Sequence, residues 1–173
     1  MTLVLRSPGV VLRRAASLAL ALGLLGGCAS PDWAKLGTSR ADVLASLGTP
    51  VSGTPLSGGG ERLLYTTQPS GFSVFHLDFD AQGRLVRREQ VLTHERLAAI
   101  PLGQWTVADV QRTFGPPMRV EQVARFEGDI WTYRFMGDFN ARRQGHVHID
   151  RAGVVRRVMF TDEPLPGDEH PFF

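Results

Sequence analysis

One twelve-residue pattern occurs twice in this chain, and it limits the folds available more than any other feature. "SRADVLASLGTP" (39–50) aligns with "TVADVQRTFGPP" (106–117), so that Asp42 falls on Asp109, Val43 on Val110, Leu47 on Phe114 and Gly48 on Gly115, all 67 positions apart. Tyr65 and Tyr133 follow at a spacing of 68, and "FDAQGRLVR" (79–87) meets "IDRAGVVRR" (149–157) at 70. Three blocks in one order, with a drift small enough for loops to absorb, mark a duplicated unit.

The local chemistry of each unit reads the same way. Ser39 and Thr106 are N-cap types with Asp42 and Asp109 three residues on, a capping box with aspartate in the usual Glu or Gln place. Val107, Val110 and Phe114 form an apolar stripe in the second helix, and Val43, Leu44 and Leu47 do so in the first. Gly48 and Gly115 suit left-handed C-terminal caps, and Pro50 and Pro117 forbid continuation. "THERLAAI", ended by Pro101, reads as a further short helical piece. Strand signals follow in "ERLLYTTQ", "FSVFHLDF" and "RLVRREQVL", and again in "MRVEQVARF", "DIWTYRFM", "GHVHID" and "VVRRVMF". The expected class is α+β: two tandem units, each a helix-loop-helix packed on a three- to four-stranded antiparallel sheet. They span residues 28–92 and 93–161. An acidic, proline-rich tail, residues 162–173, is expected to be disordered.

Residues 1–27 read differently. Arg6, Arg13 and Arg14 precede the apolar run "AASLALALGLL" with no acid among them, the layout of a secretory signal and too short for a membrane span. The chain's single cysteine, Cys28, follows Leu25-Gly26-Gly27. This stretch resembles the bacterial lipoprotein box, which implies a diacylated thiol, cleavage before Cys28 and an acylated new amino group. Several acyl chains hold a protein stably where one holds it marginally. The same resemblance assigns Ala29, which is not Asp, to outer-membrane sorting on the periplasmic side. Without the three signal arginines, 19 basic residues become 16 against 17 acidic ones. The basic footprint that nucleic-acid binding needs is gone.

With its glycines, caps and aromatic strand, the repeated pattern resembles the SmpA/OmlA (BamE-like) outer-membrane lipoprotein family. The residues that carry the likeness are Gly37, Ser39, Asp42, Val43, Leu47, Gly48, Pro50, Tyr65, Phe79, Asp80 and Gly83. The second copy supplies Thr106, Asp109, Val110, Phe114, Gly115, Pro117, Tyr133, Asp150 and Gly153. The resemblance implies a non-catalytic accessory of outer-membrane β-barrel protein assembly or of envelope integrity. Its expected partners are the membrane, through acyl chains, and proteins of the assembly machinery. It implies no cofactor, no nucleic acid and no small-molecule substrate. Two departures stand out: the unit is doubled, as in the tandem-repeat β-lactamase inhibitor proteins, and Gln104 stands where the first copy has Gly37.

A few residues are candidates for contact. His146 and His148 share a strand face at i, i+2, a spacing some zinc sites use, and the internal alignment places His76 and Asp78 on the matching face. The reading is an open, solvated sheet face suited to partner contact, with a metal-dependent envelope enzyme as the minor alternative and a tandem-repeat inhibitor of a secreted enzyme as the principal one. "GDFNARRQG" (137–145) reads as a solvated hairpin loop with Phe139, Arg142 and Arg143 near its tip, contact with anionic lipid or an acidic partner being the alternative. "LSGGGER" (56–62) lacks the Lys-Ser/Thr of a phosphate loop and reads as a flexible connection. Trp33, Trp105 and Trp131 read as core or interface packing, and the stripe Trp131, Tyr133, Phe135 as a surface one helix covers.

Overall fold

The repeated pattern becomes a repeated structure. The computed structural model describes residues 30–164; the expected signal, Cys28 and the tail from 165 onward lie outside them. Two four-stranded antiparallel sheets form, each in meander order. The first holds β1 (Ser52–Pro55), β2 (Glu61–Thr66), β3 (Val74–Phe79) and β4 (Leu85–Gln90). The second holds β5 (Arg119–Glu121), β6 (Gly128–Met136), β7 (Arg142–Asp150) and β8 (Val155–Asp162). Helix α1 (Arg40–Leu47) precedes the first sheet; α2 (His94–Ala98) and α3 (Val107–Phe114) precede the second. The class is α+β with sheet dominant. Among the described residues no helix is long and apolar enough to cross a membrane.

The same three devices build both repeats. At the helix starts, Ser39 Oγ accepts the Asp42 N–H at 3.1 Å and Thr106 Oγ accepts the Asp109 N–H at 3.4 Å. Asp109 returns the favour by accepting the Thr106 N–H at 2.8 Å, so the capping box is complete in the second repeat and half-formed in the first. At the β3–β4 and β7–β8 turns, Asp80 and Asp150 each accept two backbone N–H groups, from Gln82 and Arg84 and from Ala152 and Val154. Gly83 and Gly153 then accept the N–H of Arg40 and Val107, tying each turn to a helix start at 2.8 and 2.9 Å.

The third device is at the helix ends. Gly48 (φ 76°, ψ −157°) and Gly115 (φ 70°, ψ −161°) have the expected positive φ, but their extended ψ differs from a left-handed cap. That region of backbone space belongs essentially to glycine. It turns each glycine carbonyl toward the sheet, where Tyr65 Oη donates to Gly48 O at 3.0 Å and Tyr133 Oη to Gly115 O at 2.8 Å. Glycine and tyrosine of the repeated pattern thus make one latch between helix and sheet.

Packing explains where the first copy and the second part company. Sheet one presents Leu63, Tyr65, Phe75, Leu77, Phe79 and Leu85 to α1, which buries Val43 among them. Its other face, with Leu64 and Val74, joins the core of the second repeat beside Val110, Phe114, Tyr133, Phe135 and Val147. Helix α3 therefore lies between the two sheets, its own sheet on one side and the back of sheet one on the other. Every residue of β3 is buried in consequence.

Several expectations need correction. In the first repeat a 3-10 turn at Pro31–Trp33 stands where the second has α2. The glycine matching Gly37 is Gly103, one position before Gln104: both have positive φ, and their N–H groups bond Leu85 O and Val155 O at 2.7 and 2.8 Å. Strand β1 arises from a Gly- and Pro-bearing segment with no strand signal, because the edge of β2 templates it. Trp33 is 70% exposed rather than packed, whereas Trp105 and Trp131 lie against the core as expected. Strand β8 runs through Asp162, one residue past the expected limit.

The latches predict an asymmetric stability pattern. Tyr133→Phe strands a buried carbonyl and should cost about 1–3 kcal/mol, against about 0.5–1.5 kcal/mol for Tyr65→Phe at its less enclosed site. Gly115→Ala should cost more than Gly48→Ala, because its added Cβ lies 3.0 Å from Leu64 Cδ2 while the one at Gly48 meets nothing. Urea unfolding of the four variants checks the order.

Candidate functional site

His76 and Asp78 are not on an open face. They are 5% and 6% exposed, enclosed between the back of sheet one and the second repeat. His76 Nε2–H donates to the carbonyl of Thr113, in the last turn of α3, at 2.8 Å. Burial, followed by the Arg62 guanidinium, pushes the imidazole down to about 4, so it is neutral at neutral pH. Asp78 holds Arg62 through two bonds of 2.6 and 2.7 Å, and this partner raises the guanidinium. On β4, Glu89 faces His76 across the strands and pairs with Arg87 at 2.6 Å and with Arg96 from α2. The sequence alternation of β3 was read correctly as two faces. Its polar face meets the second repeat because that repeat's helix needs a partner for its terminal carbonyls.

The matching face of sheet two is the outer one, but it is not the open, solvated face expected: His148 is 5% exposed, Thr132 and Gln144 are buried, and His146 is half-buried. Arg119, Thr132, His146 and Met159 form a row across its four strands, and Glu121, Ile130, His148 and Arg157 form the next. Thr132 and Gln144 occupy the places that Leu64 and Val74 hold in sheet one. His146 is hydrogen-bonded at both nitrogens, Nδ1 to Thr132 Oγ1 at 3.0 Å and Nε2 to Thr161 Oγ1 at 2.9 Å. The His148 ring meets the edge of Phe126 at 5.0 Å. Burial lowers both histidines, with Arg119 adding to the effect at His146 and Arg157 at His148. Among the described residues no group of three His, Cys, Asp or Glu side chains converges on a metal position. Beside this face a groove of about 720 Å³ runs between the 122–129 loop and the 150–153 turn. Its charged lining is paired internally, Arg151 with Glu127 at 2.8 Å and Gln122 with Asp129 at 2.9 Å.

The hairpin of the sequence reading is tighter than expected. Strand β7 begins at Arg142, so Arg142 and Arg143 are strand residues and the tip is residues 137–141. Phe139 is fully exposed there. Behind the tip, sequence reasoning missed a junction between the repeats. The Gln68 carboxamide donates to Arg134 O at 2.8 Å and accepts the Arg134 N–H at 3.4 Å, taking the place of a strand neighbour that β5 is too short to supply. The Arg134 guanidinium bonds the carbonyls of Pro69 and Ser70, lies 4.4 Å over the Phe72 ring and pairs with Glu163 at 2.5 Å. An arginine within an aromatic stripe was the one signal available for it.

No family model matches the chain, and no curated protein matches it. Among solved structures it is similar to a DUF4309 family protein, YjgB, from Bacillus subtilis. The identity is 20%, the TM-score 0.31, and the match covers 73% of this chain and 79% of that one. A likeness of that degree carries neither fold nor function.

The buried histidine predicts a pH dependence. A folded value near 4, below the ordinary value near 6.5, means the unfolded chain binds the extra proton between them. The stabilisation is complete above about pH 6.5 and is lost as pH falls toward 4, by roughly 2–3 kcal/mol. His76→Gln, which keeps a donor for Thr113 O, should flatten that part of the unfolding profile followed by circular dichroism.

Proposed function

We propose that this chain is a lipid-anchored, periplasm-facing outer-membrane lipoprotein of two SmpA/OmlA (BamE-like) units, which binds and scaffolds protein partners without catalysis. The observation that carries this reading is the lone Cys28 directly after Leu25-Gly26-Gly27, behind an arginine-led apolar run. In the finer plan of the repeats, each is a variant of a helix-loop-helix over a four-stranded sheet, with the Pro31–Trp33 turn standing for the missing first helix. By its resemblance, the chain serves outer-membrane β-barrel protein assembly or envelope integrity.

The division of labour between the faces supports a binding role. One sheet face in each repeat meets its own helix, and the back of sheet one meets α3, which leaves the exposed Arg119, Arg157 and Met159 of sheet two's outer face and the hairpin tip for outside contact. A second reading, a binder or inhibitor of a secreted enzyme, is favoured by the outer face itself, where exposed Arg119, Arg157 and Met159 flank the two histidines. The metal-dependent reading has less support, since both His146 nitrogens are occupied by threonine hydroxyls.

Affinity purification of the full-length protein from detergent-solubilised envelopes tests the proposal, with mass spectrometry of its partners and of its amino terminus. The expected outcome is acylated Cys28 together with barrel-assembly components. An unmodified thiol, or a soluble hydrolase as the dominant partner, overturns it in favour of the second reading.

A further inference from the structure

Among the described residues none covers the Phe139 side chain. Its side chain is 103% exposed, at the tip of the turn between β6 and β7. The backbone there is left-handed, with φ 54° and ψ 29° at Phe139 and φ 59° at Asn140. Asparagine adopts that region readily and a bulky phenylalanine does not. The turn is braced from below, with the Gly137 N–H on Ala141 O at 2.8 Å and the Ala141 N–H on Asp138 O at 3.0 Å. An apolar ring displayed at a cost in backbone strain marks a group whose partner lies outside the fold.

The surroundings identify that partner. Met136, at the end of β6, is 38% exposed and extends the apolar tip. Arg143 is paired with Asp162 at 3.2 Å and Arg134 with Glu163, which leaves exposed Arg142 as the cation without an acidic partner among the described residues. Asp138 is the acid at the tip itself. The tip also lies at the end of the fold where the chain enters. Phe75 pairs with Gln90, so β3 starts and β4 stops at that end. The segment before α1 runs back along β4, with the Gly37 N–H on Leu85 O and the Asp32 carbonyl on the Arg88 guanidinium, which directs Pro31 toward Gln90. The β2–β3 loop at this end grips Arg134, on the strand leading to the tip.

We propose that the Phe139 turn is a membrane-contacting finger, its ring entering the interfacial layer of a lipid surface while Arg142 meets headgroup phosphate. The inference rests on the reading of the chain as a lipoprotein. On that reading the finger gives the protein a second point of attachment besides its acyl chains. Acyl chains alone leave it free to tumble on its tether.

The test is Phe139→Trp in the full chain, purified from membranes and reconstituted into phosphatidylethanolamine–phosphatidylglycerol vesicles with lipids brominated high on the acyl chains. The signal of the parent's three tryptophans, exposed Trp33 included, is subtracted. The added emission should shift to the blue and lose most of its intensity to bromine, and Arg142→Glu in the same background should reverse much of that loss. Emission unmoved by bromine overturns the finger and assigns the tip to a protein contact. Phe139→Ser, whose melting temperature should match the parent's, separates lost contact from lost folding. Mass spectrometry of the amino terminus in the same sample reports the anchor separately: acylated Cys28 with unquenched emission overturns the finger alone, and free Cys28 with quenched emission overturns the anchor alone.

Discussion

The structure depends on one helix having two sheets to satisfy. Helix α3 buries Val110 and Phe114 against its own sheet, and its Thr113 carbonyl is the acceptor for His76 on the other. A four-stranded sheet with a single short helix leaves one face without cover, and a face bearing Leu64 and Val74 is poorly suited to water. Stacking the second unit on the first removes that face from solvent, and a neutral imidazole completes a carbonyl that a helix end would otherwise strand. Duplication here is thus a packing solution in which neither copy is complete alone.

The two copies differ where a stack must stop. The back of sheet one has Leu64 and Val74, and the same positions in sheet two are Thr132 and Gln144. The first pair receives a neighbouring unit; the second pair is polar but buried all the same, with Thr132 Oγ1 bonded to His146 Nδ1 at 3.0 Å. Histidine is kept at His76 and His146, but its work changes from bonding a helix end to bonding two threonine hydroxyls.

Much of this was legible in local chemistry. Ser39, Thr106, Asp80 and Asp150 act through hydrogen bonds to backbone within a few residues, so their spacing alone reveals them. Strand β3 was legible as an alternation, but not as a fully buried strand, because His76 is met by a helix whose contacting residue, Thr113, lies 37 positions away in sequence. Strand β1 and the Gln68–Arg134 junction were silent for the same reason: what orders them is a partner supplied by the assembled fold. The hairpin was visible as a turn, and its arginines were misplaced by the length of β7, which the glycine at Gly145 concealed.

The carboxamide of Gln68 has a consequence for the protein at high local concentration. Past the short β5, the edge of β6 is a row of backbone donors and acceptors, the kind of edge through which sheets of different molecules zip together. By occupying both groups of Arg134, Gln68 interrupts that row with a side chain from the other repeat. A junction that joins two copies within one chain therefore also guards against joining two chains.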